Sequence, residues 1–449
     1  MDKTDQRAPY MQMLALHAVG ARLRKLSSSS SSSFSFPVHL SMAPPVVSLL
    51  VMELCLSVLL STHLAAGESH NVVDLGADPR GETDSAAAFR RAWSLACQSP
   101  KPAIVLVPAG RFLVSSVVFK GPCNNTRIEF SADGATVVAP ADYASFGQSN
   151  AWIKFEHVEG VSINGGTLDG RGKSLWACKA ARKGCPVGPK ACMRAVDHSL
   201  TIRHSKDVHI AGLASINSKS FHIMIRDSAR VWLRNVTVSA PGDSRNTDGI
   251  HVKDSDDVRI TNATIGTGDD CIAMSAGTTN LLAEDISCGP GHGISIGSLG
   301  DDDDEAGVAN ITVTGVVFSG KGTQNGLRIK TWAKPSGGFV RGVSFQDVIM
   351  QGVGNPILID QTYCPGIPNC PAESSGVKIS NVTYGNIRGT SSSEVAVKFD
   401  CSSSRPCTGI HLHDVNITYQ GRPAKSSCKN AMGTATGYLI PPISCLKEI

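Results

Sequence analysis

Aromatic side chains make up only 5% of this chain and charged ones only 18%, so the classes of protein that depend on either are poor fits. The net charge is +4, with no dense Lys/Arg block and no basic-aromatic interleaving beyond the first few dozen positions, which excludes a nucleic-acid partner. Cys-x-x-Cys pairs and histidine clusters are missing, so no zinc site is expected, nor any other metal or cofactor. Long helical crossovers of the kind a doubly wound sheet requires are also missing. One helix stands out, Asp84 to Ala96, where Ala86, Ala88, Phe89, Ala92, Trp93 and Ala96 share a face.

No apolar run reaches convincing membrane length. Val46 to Leu60, followed by Leu64-Ala65-Ala66-Gly67, has the short core and small-residue exit of a signal peptide. Glu53 interrupts that core, and residues 1–41 precede Met42, which makes Met42 a second candidate start. Arg22, Arg24, Lys25 and the serine run Ser27 to Ser33 also permit a transit-peptide reading. The expectation is a leader over 1–67, made of an extension over 1–41 and a signal peptide over 42–67. A single secreted domain over 68–449 follows, monomeric and free of the membrane once the leader is removed.

The cysteines favour export. Of the 14, Cys55 would leave with the leader. Cys364/Cys370, Cys401/Cys407 and Cys428/Cys445 would each close a short loop, as disulfides in oxidising compartments often do. The odd number left predicts one free thiol, placed among Cys178, Cys185 and Cys192. Sequons at Asn124, Asn235, Asn262, Asn310, Asn381 and Asn416 suit an exported glycoprotein.

With 44 glycines and recurrent Val, Ile, Thr and Asn, the chain reads as short strands joined by turns. Those strands repeat. Val208-His-Ile-Ala-Gly, Val231-Trp-Leu-Arg-Asn, Val258-Arg-Ile-Thr-Asn, Ile311-Thr-Val-Thr-Gly, Val343-Ser-Phe-Gln-Asp, Val377-Lys-Ile-Ser-Asn and Ile410-His-Leu-His-Asp share one pattern: apolar, polar, apolar, polar, turn. A second ladder keeps step through His222-Ile-Met-Ile, Gly249-Ile-His-Val, Cys271-Ile-Ala-Met, Gly293-Ile-Ser-Ile, Gly326-Leu-Arg-Ile and Pro356-Ile-Leu-Ile. One coil of this kind cannot bury its apolar face alone, whereas stacked coils share a core and pair every strand edge. The repeat therefore predicts an all-β parallel β-helix, a solenoid, with the short N-terminal helix capping its open end. A sandwich or propeller fits less well, because the repeat lacks a uniform blade length.

Four polar clusters fall at the same edge of the second ladder: Asn246-Thr-Asp248, Gly268-Asp269-Asp270, Gly291-His292-Gly293 and Arg328-Ile-Lys330. Asp248, Asp270 and His292 are separated by 22 residues and again by 22. Rungs stack about 4.8 Å apart, so that interval predicts a column of two carboxylates and an imidazole, with Asp269 beside it and two cations one rung on. Crowded carboxylates cannot all ionise; one is driven to hold a proton while others stay basic, the division a glycosidase needs. Arg and Lys would hold an acidic sugar's carboxylate. Taken singly, Asn-Thr-Asp and Asp-Asp read as turns, Gly-His-Gly as a tight bend and Arg-x-Lys as a solvated face. Their common phase separates them from that reading.

The segments Asn246-Thr-Asp-Gly-Ile-His-Val, Gly268-Asp-Asp-Cys-Ile, Gly291-His-Gly-Ile-Ser-Ile-Gly-Ser-Leu-Gly300 and Arg328-Ile-Lys-Thr-Trp332 resemble those of plant polygalacturonases, pectin-degrading glycoside hydrolases. The likeness runs from about Asn71 to Cys445. It implies a right-handed parallel β-helix, no metal, and hydrolysis of α-1,4-galacturonosyl linkages of pectic homogalacturonan with inversion. It further implies Asp269 as the acid, Asp248 and Asp270 as the pair that positions and deprotonates water, and His292 as their support. Asn246, Arg328, Lys330 and Tyr363 would contact substrate, though a buried aromatic is an equally plain reading of Tyr363. The acidic run Asp301 to Glu305 departs from the family pattern; leaning toward the cleft, it would repel unesterified galacturonan. Three other readings stay open: a rhamnogalacturonan hydrolase, a pectin or pectate lyase on the same fold, and a non-catalytic wall-binding β-helix. Endo and exo attack are not distinguished.

Overall fold

Alternation builds each rung, because strand side chains point to opposite faces in turn. In the computed structural model, whose described residues are 67–142, 151–181, 198–365 and 374–446, the apolar members of each rung fall on one face and stack. Backbone pairing runs Ile223–Ile250–Ile272–Ile294–Leu327–Ile357–Val397 through seven successive strands. None of these side chains retains accessible surface. At about 1.5–3 kcal/mol for each fully buried aliphatic side chain, such columns are the main source of stability.

Among the described residues the strands form an 11-stranded and a 19-stranded sheet, with every strand pairing parallel except Thr418–Tyr419 against Arg422–Pro423. The chain is a right-handed parallel β-helix. Strands of the larger sheet outgrow the five-residue repeat: Asp256–Gly266 and Phe339–Val353 each join two flat faces around a left-handed residue, Asn262 and Asp347 respectively. Short polar side chains tolerate that conformation and bond locally, and Asn262 Nδ2 donates to Asn235 Oδ1 one rung away at 2.7 Å.

A helix, α1, spans Ala86–Gln98, two residues later than periodicity placed it, and buries the six residues expected on its inner face. Trp93 packs on Phe119 and Phe155, with ring centroids 5.4 and 5.6 Å away. A second helix, α2, spans Lys173–Ala181 and has no strong apolar face, which is why periodicity did not reveal it. No helix among the described residues is long and apolar enough to cross a membrane. The expected leader, the Met42 start and the transit-peptide alternative lie outside the described residues.

Disulfides join Cys97–Cys123, Cys271–Cys288, Cys401–Cys407 and Cys428–Cys445. The last two are the short closures read from the sequence. Cys178 is also disulfide-bonded, which removes it as the free thiol; burial and pairing of Cys185 and Cys192 lie outside the described residues. Cys364 is bonded as well, but its expected partner Cys370 lies outside them.

Candidate active site

The smaller sheet presents its outward side chains as a wall. Pairing aligns Met224, His251, Ala273, Ser295, Arg328 and Leu358 in one outward column, and Arg203, Arg226 and Lys253 in another that Lys330 and Asp360 continue. The carboxylates enter from the turns that lead into these strands. Glycine is required there. At Gly268, between Thr267 and Asp269, an added Cβ would lie 2.0 Å from the Ser244 carbonyl oxygen, so the two catalytic-edge turns stack without a side chain between them. At Gly249, directly after Asp248, a Cβ would meet Ile265 Cγ2 at 2.4 Å and the Cys271 carbonyl at 2.5 Å.

Asp269, Asp270 and His292 come together, so the residues spaced by 22 do stack, but His292 meets Asp269 and not the Asp248–Asp270 column that the interval predicts. The ligand-bearing atoms of these three residues lie within 4.8 Å of one another. His292 Nδ1 lies 3.0 Å from Asp269 Oδ1, which also accepts the Asp270 backbone N–H at 2.9 Å. The Asn246 backbone N–H donates to Asp269 Oδ2 at 3.2 Å, while the Asn246 side chain is exposed at a left-handed turn position. Of the three aspartates, Asp269 is the most accessible, with 18% of its side chain exposed against 8% for Asp248 and 2% for Asp270.

Asp270 is the electrostatic centre. Its Oδ1 accepts from Ser295 Oγ at 2.8 Å and Arg328 Nη2 at 2.5 Å, and its Oδ2 accepts from Lys330 Nζ at 2.8 Å. Burial alone would raise its carboxyl, but Lys330 and Arg328 outweigh burial and hold it at about 2. Asp270 in turn raises the Lys330 ammonium against the opposing effect of burial. Both cations read as substrate clamps are thus bonded to a carboxylate in the unliganded protein. Arg328 also donates through Nε to Ser295 at 2.9 Å, so its guanidinium serves the wall before it serves a sugar.

Asp248 is perturbed in the opposite sense. Burial pushes its carboxyl up to about 6; the Asp269 charge adds to the push, and a hydrogen bond to His251, Nδ1 to Oδ2 at 2.9 Å, opposes it. The crowded carboxylates therefore do separate into one that stays charged, Asp270, and one that holds a proton readily, which is Asp248 and not Asp269, the residue that the resemblance implies as the acid. A resident cation would have to displace Arg328 and Lys330 from Asp270, and two buried positive charges already occupy that position.

Tyr363 closes one end of the wall. Lys330 Nζ lies 5.3 Å from its ring centroid, and its ring meets that of Trp332 edge-on at 5.3 Å. It is partly exposed beside the site and not buried in the core. Lys334 lies over Trp332 and pairs with Asp301, which ties the acidic run to the same rung. Glu305 turns inward on that loop and accepts the Gly300 backbone N–H at 2.7 Å.

Sequence reasoning missed three members of the wall: His251, Ser275 and Ser295. Two of them were legible. His251 and Ser295 are the outward residues of Gly249-Ile-His-Val and Gly293-Ile-Ser-Ile, found by applying the same alternation one position further along each rung. Ser275 follows its strand and carries no such signal.

Comparison with known proteins gives the family and the fold. A polygalacturonase from Prunus persica is 50% identical over 400 residues, spanning 89% of this chain and 99% of its own. An exopolygalacturonase from Platanus acerifolia is 41% identical over 385 residues, 85% of this chain and 99% of its own. Among solved structures, an exopolygalacturonase from Thermotoga maritima shares the fold with a TM-score of 0.69 at 21% identity, covering 83% of this chain and 91% of its own. The polygalacturonase of Erwinia carotovora matches with a TM-score of 0.61 at 25% identity, over 80% and 97%. The family model of glycosyl hydrolases family 28 matches residues 97–437, and the chain belongs to that family of glycoside hydrolases.

Proposed function

We propose that this chain is a secreted polygalacturonase that hydrolyses α-1,4-galacturonosyl linkages of pectic homogalacturonan. The observation that carries the reading is the buried Asp270–Arg328–Lys330 cluster beside two further carboxylates on one exposed wall. Asp269, the most accessible of the three, protonates the departing glycosidic oxygen, and His292 holds it through Nδ1. Asp248 takes the proton of the attacking water. A base works best with a pKa near the working pH, and Asp248 at about 6 is a far better acceptor than Asp270 at about 2. Asp270 stays ionised and orients the water. Arg328 and Lys330, with donors to spare beyond Asp270, take the uronate carboxylate, and the partly exposed Tyr363 borders the same subsite.

Membership of a hydrolase family disfavours the lyase reading, and the disulfides support the exported, extracellular location. Inversion places the water over Asp248 and Asp270, on the sugar face opposite Asp269. Polygalacturonate digests test all of this together: saturated reducing ends are expected, with loss of at least about a thousandfold in kcat for Asp269→Asn in a folded protein. Unsaturated products, or an active Asp269→Asn, would defeat the reading. The anomer first released, followed by NMR, reports inversion, and monomer-only against mixed oligomer release separates exo from endo attack.

A further inference from the structure

His251 lies outside every residue assigned so far, yet its ring is fixed on three sides. Nδ1 bonds Asp248 Oδ2 at 2.9 Å, and Nε2 bonds Ser275 Oγ one rung on at 2.8 Å. One ring face stacks on Phe221, with centroids 4.4 Å apart and planes within 10°. Phe221 stacks in turn on His198 at 4.8 Å and 5°. An imidazole held this way has no freedom to leave Asp248, and only 15% of its side chain is exposed.

Ionised Asp248 can only accept, so the Nδ1 that faces it carries the proton, and Nε2, left bare, accepts from the Ser275 hydroxyl. That hydrogen bond favours the carboxylate over the carboxylic acid. We propose that His251 is a positioning residue for hydrolysis, holding Asp248 ionised and aligned for water through an N–H donor that Ser275 and the Phe221 stack fix in place. This rests on the reading that Asp248 accepts the proton of water.

The charged groups around the pair set the sense of the effect. Asp269 and Asp270 face Asp248 and oppose its ionisation, leaving His251 as the neighbour that favours it. Across Phe221, burial pushes His198 down to about 3, with His251 and Lys179 contributing, so His198 is neutral and the stack carries no charge of its own. Without the N–H donor, Asp248 holds its proton to higher pH, and activity should be lost from the acid side.

The experiment is the pH profile of kcat/KM on polygalacturonate for His251→Phe, His251→Gln, Ser275→Ala and Asp248→Asn, with folding followed by circular dichroism. His251→Phe keeps the stack and loses both hydrogen bonds. The acid limb should move up by about one pH unit, a roughly tenfold loss below it that recovers above it. His251→Gln, which restores an N–H donor, should return the limb toward its original place. Ser275→Ala should move it in the same direction by less, and decides the matter should His251→Phe fail to fold. A loss by one constant factor at every pH, or an unmoved limb while Asp248→Asn is inactive, would overturn the proposal. An active Asp248→Asn would instead overturn the assignment of the base on which it rests.

Discussion

Replacing Asp248 with asparagine should stabilise the folded protein, and should do so only above about pH 4. The group is raised from 3.8 to about 6 on folding. A carboxyl with a raised folded pKa contributes stability that is fully present below its unfolded pKa and is lost as pH rises through the folded one. The window is therefore pH 4 to 6. A shift of about two units corresponds to roughly 3 kcal/mol, and the 8% exposure of the side chain leaves little solvent screening to reduce it. Asparagine keeps the shape and still accepts from His251, but has no charge to desolvate. With an unfolding entropy of about 2.1 cal/mol/K per residue, roughly 3 kcal/mol becomes an apparent Tm gain of roughly 4 °C. The assay is thermal unfolding of both proteins from pH 3.5 to 8. The difference in Tm should be near zero at the acid end, grow between pH 4 and 6, and stay level above. A difference that is constant with pH, or that shrinks as pH rises, would refute the assignment of Asp248 as the desolvated carboxyl.

Other perturbations follow from the same wall. Lys330→Met strips one cation from Asp270 and leaves a buried charge half compensated, so a loss of about 3–5 kcal/mol in denaturant unfolding is expected, together with at least a hundredfold loss of kcat. Because the Asp270 carboxyl is lowered on folding, its contribution is present above pH 4 and disappears toward pH 2; the acid arm of the wild-type stability curve should flatten in Asp270→Asn. Gly268→Ala forces a Cβ against the Ser244 carbonyl and should disable catalysis through the turn that carries Asp269. Neutralising Asp302, Asp303 and Asp304 to asparagine should raise kcat/KM on unesterified galacturonan roughly two- to threefold at low salt and leave it unchanged at high salt.

The rungs were legible because alternation has a period the eye can count, and the site was legible because three of its residues repeat that count at 22. Legibility stopped where position depends on contacts rather than period. Cys271–Cys288 closes a buried bridge between the Asp270 and His292 rungs. Their separation of 17 residues equals that of Cys428–Cys445, but both cysteines lie within the ladder of strands, where a bond between neighbouring rungs was not read. Cys97–Cys123 ties α1 to the first coils in the same unheralded way. The bonding of Arg328 and Lys330 was equally hidden. Alternation puts both on the outer face, and only the stacking of rungs shows that Asp270 reaches them before any substrate does. Asp248 and Asp270 occupy equivalent positions and are both buried, and what lowers Asp270 is Lys330 and Arg328, which do not act on Asp248.

That difference explains how one wall can hold three carboxylates. A solenoid adds one rung at a time, so each aspartate sees its neighbours above and below at about 4.8 Å. Asp270 has both cations on one strand two rungs on, and the neighbouring outward positions, Ala273 and Ser295, are small enough to let Arg328 and Lys330 reach back. Asp248 stands one rung further from those cations and has only an imidazole for company. Charge compensation therefore decays along the helix axis, and the carboxylate pKa rises as it does. The mechanism proposed above depends on that gradient, since a wall on which every aspartate were paired as tightly as Asp270 would hold water in place and have nothing able to take its proton.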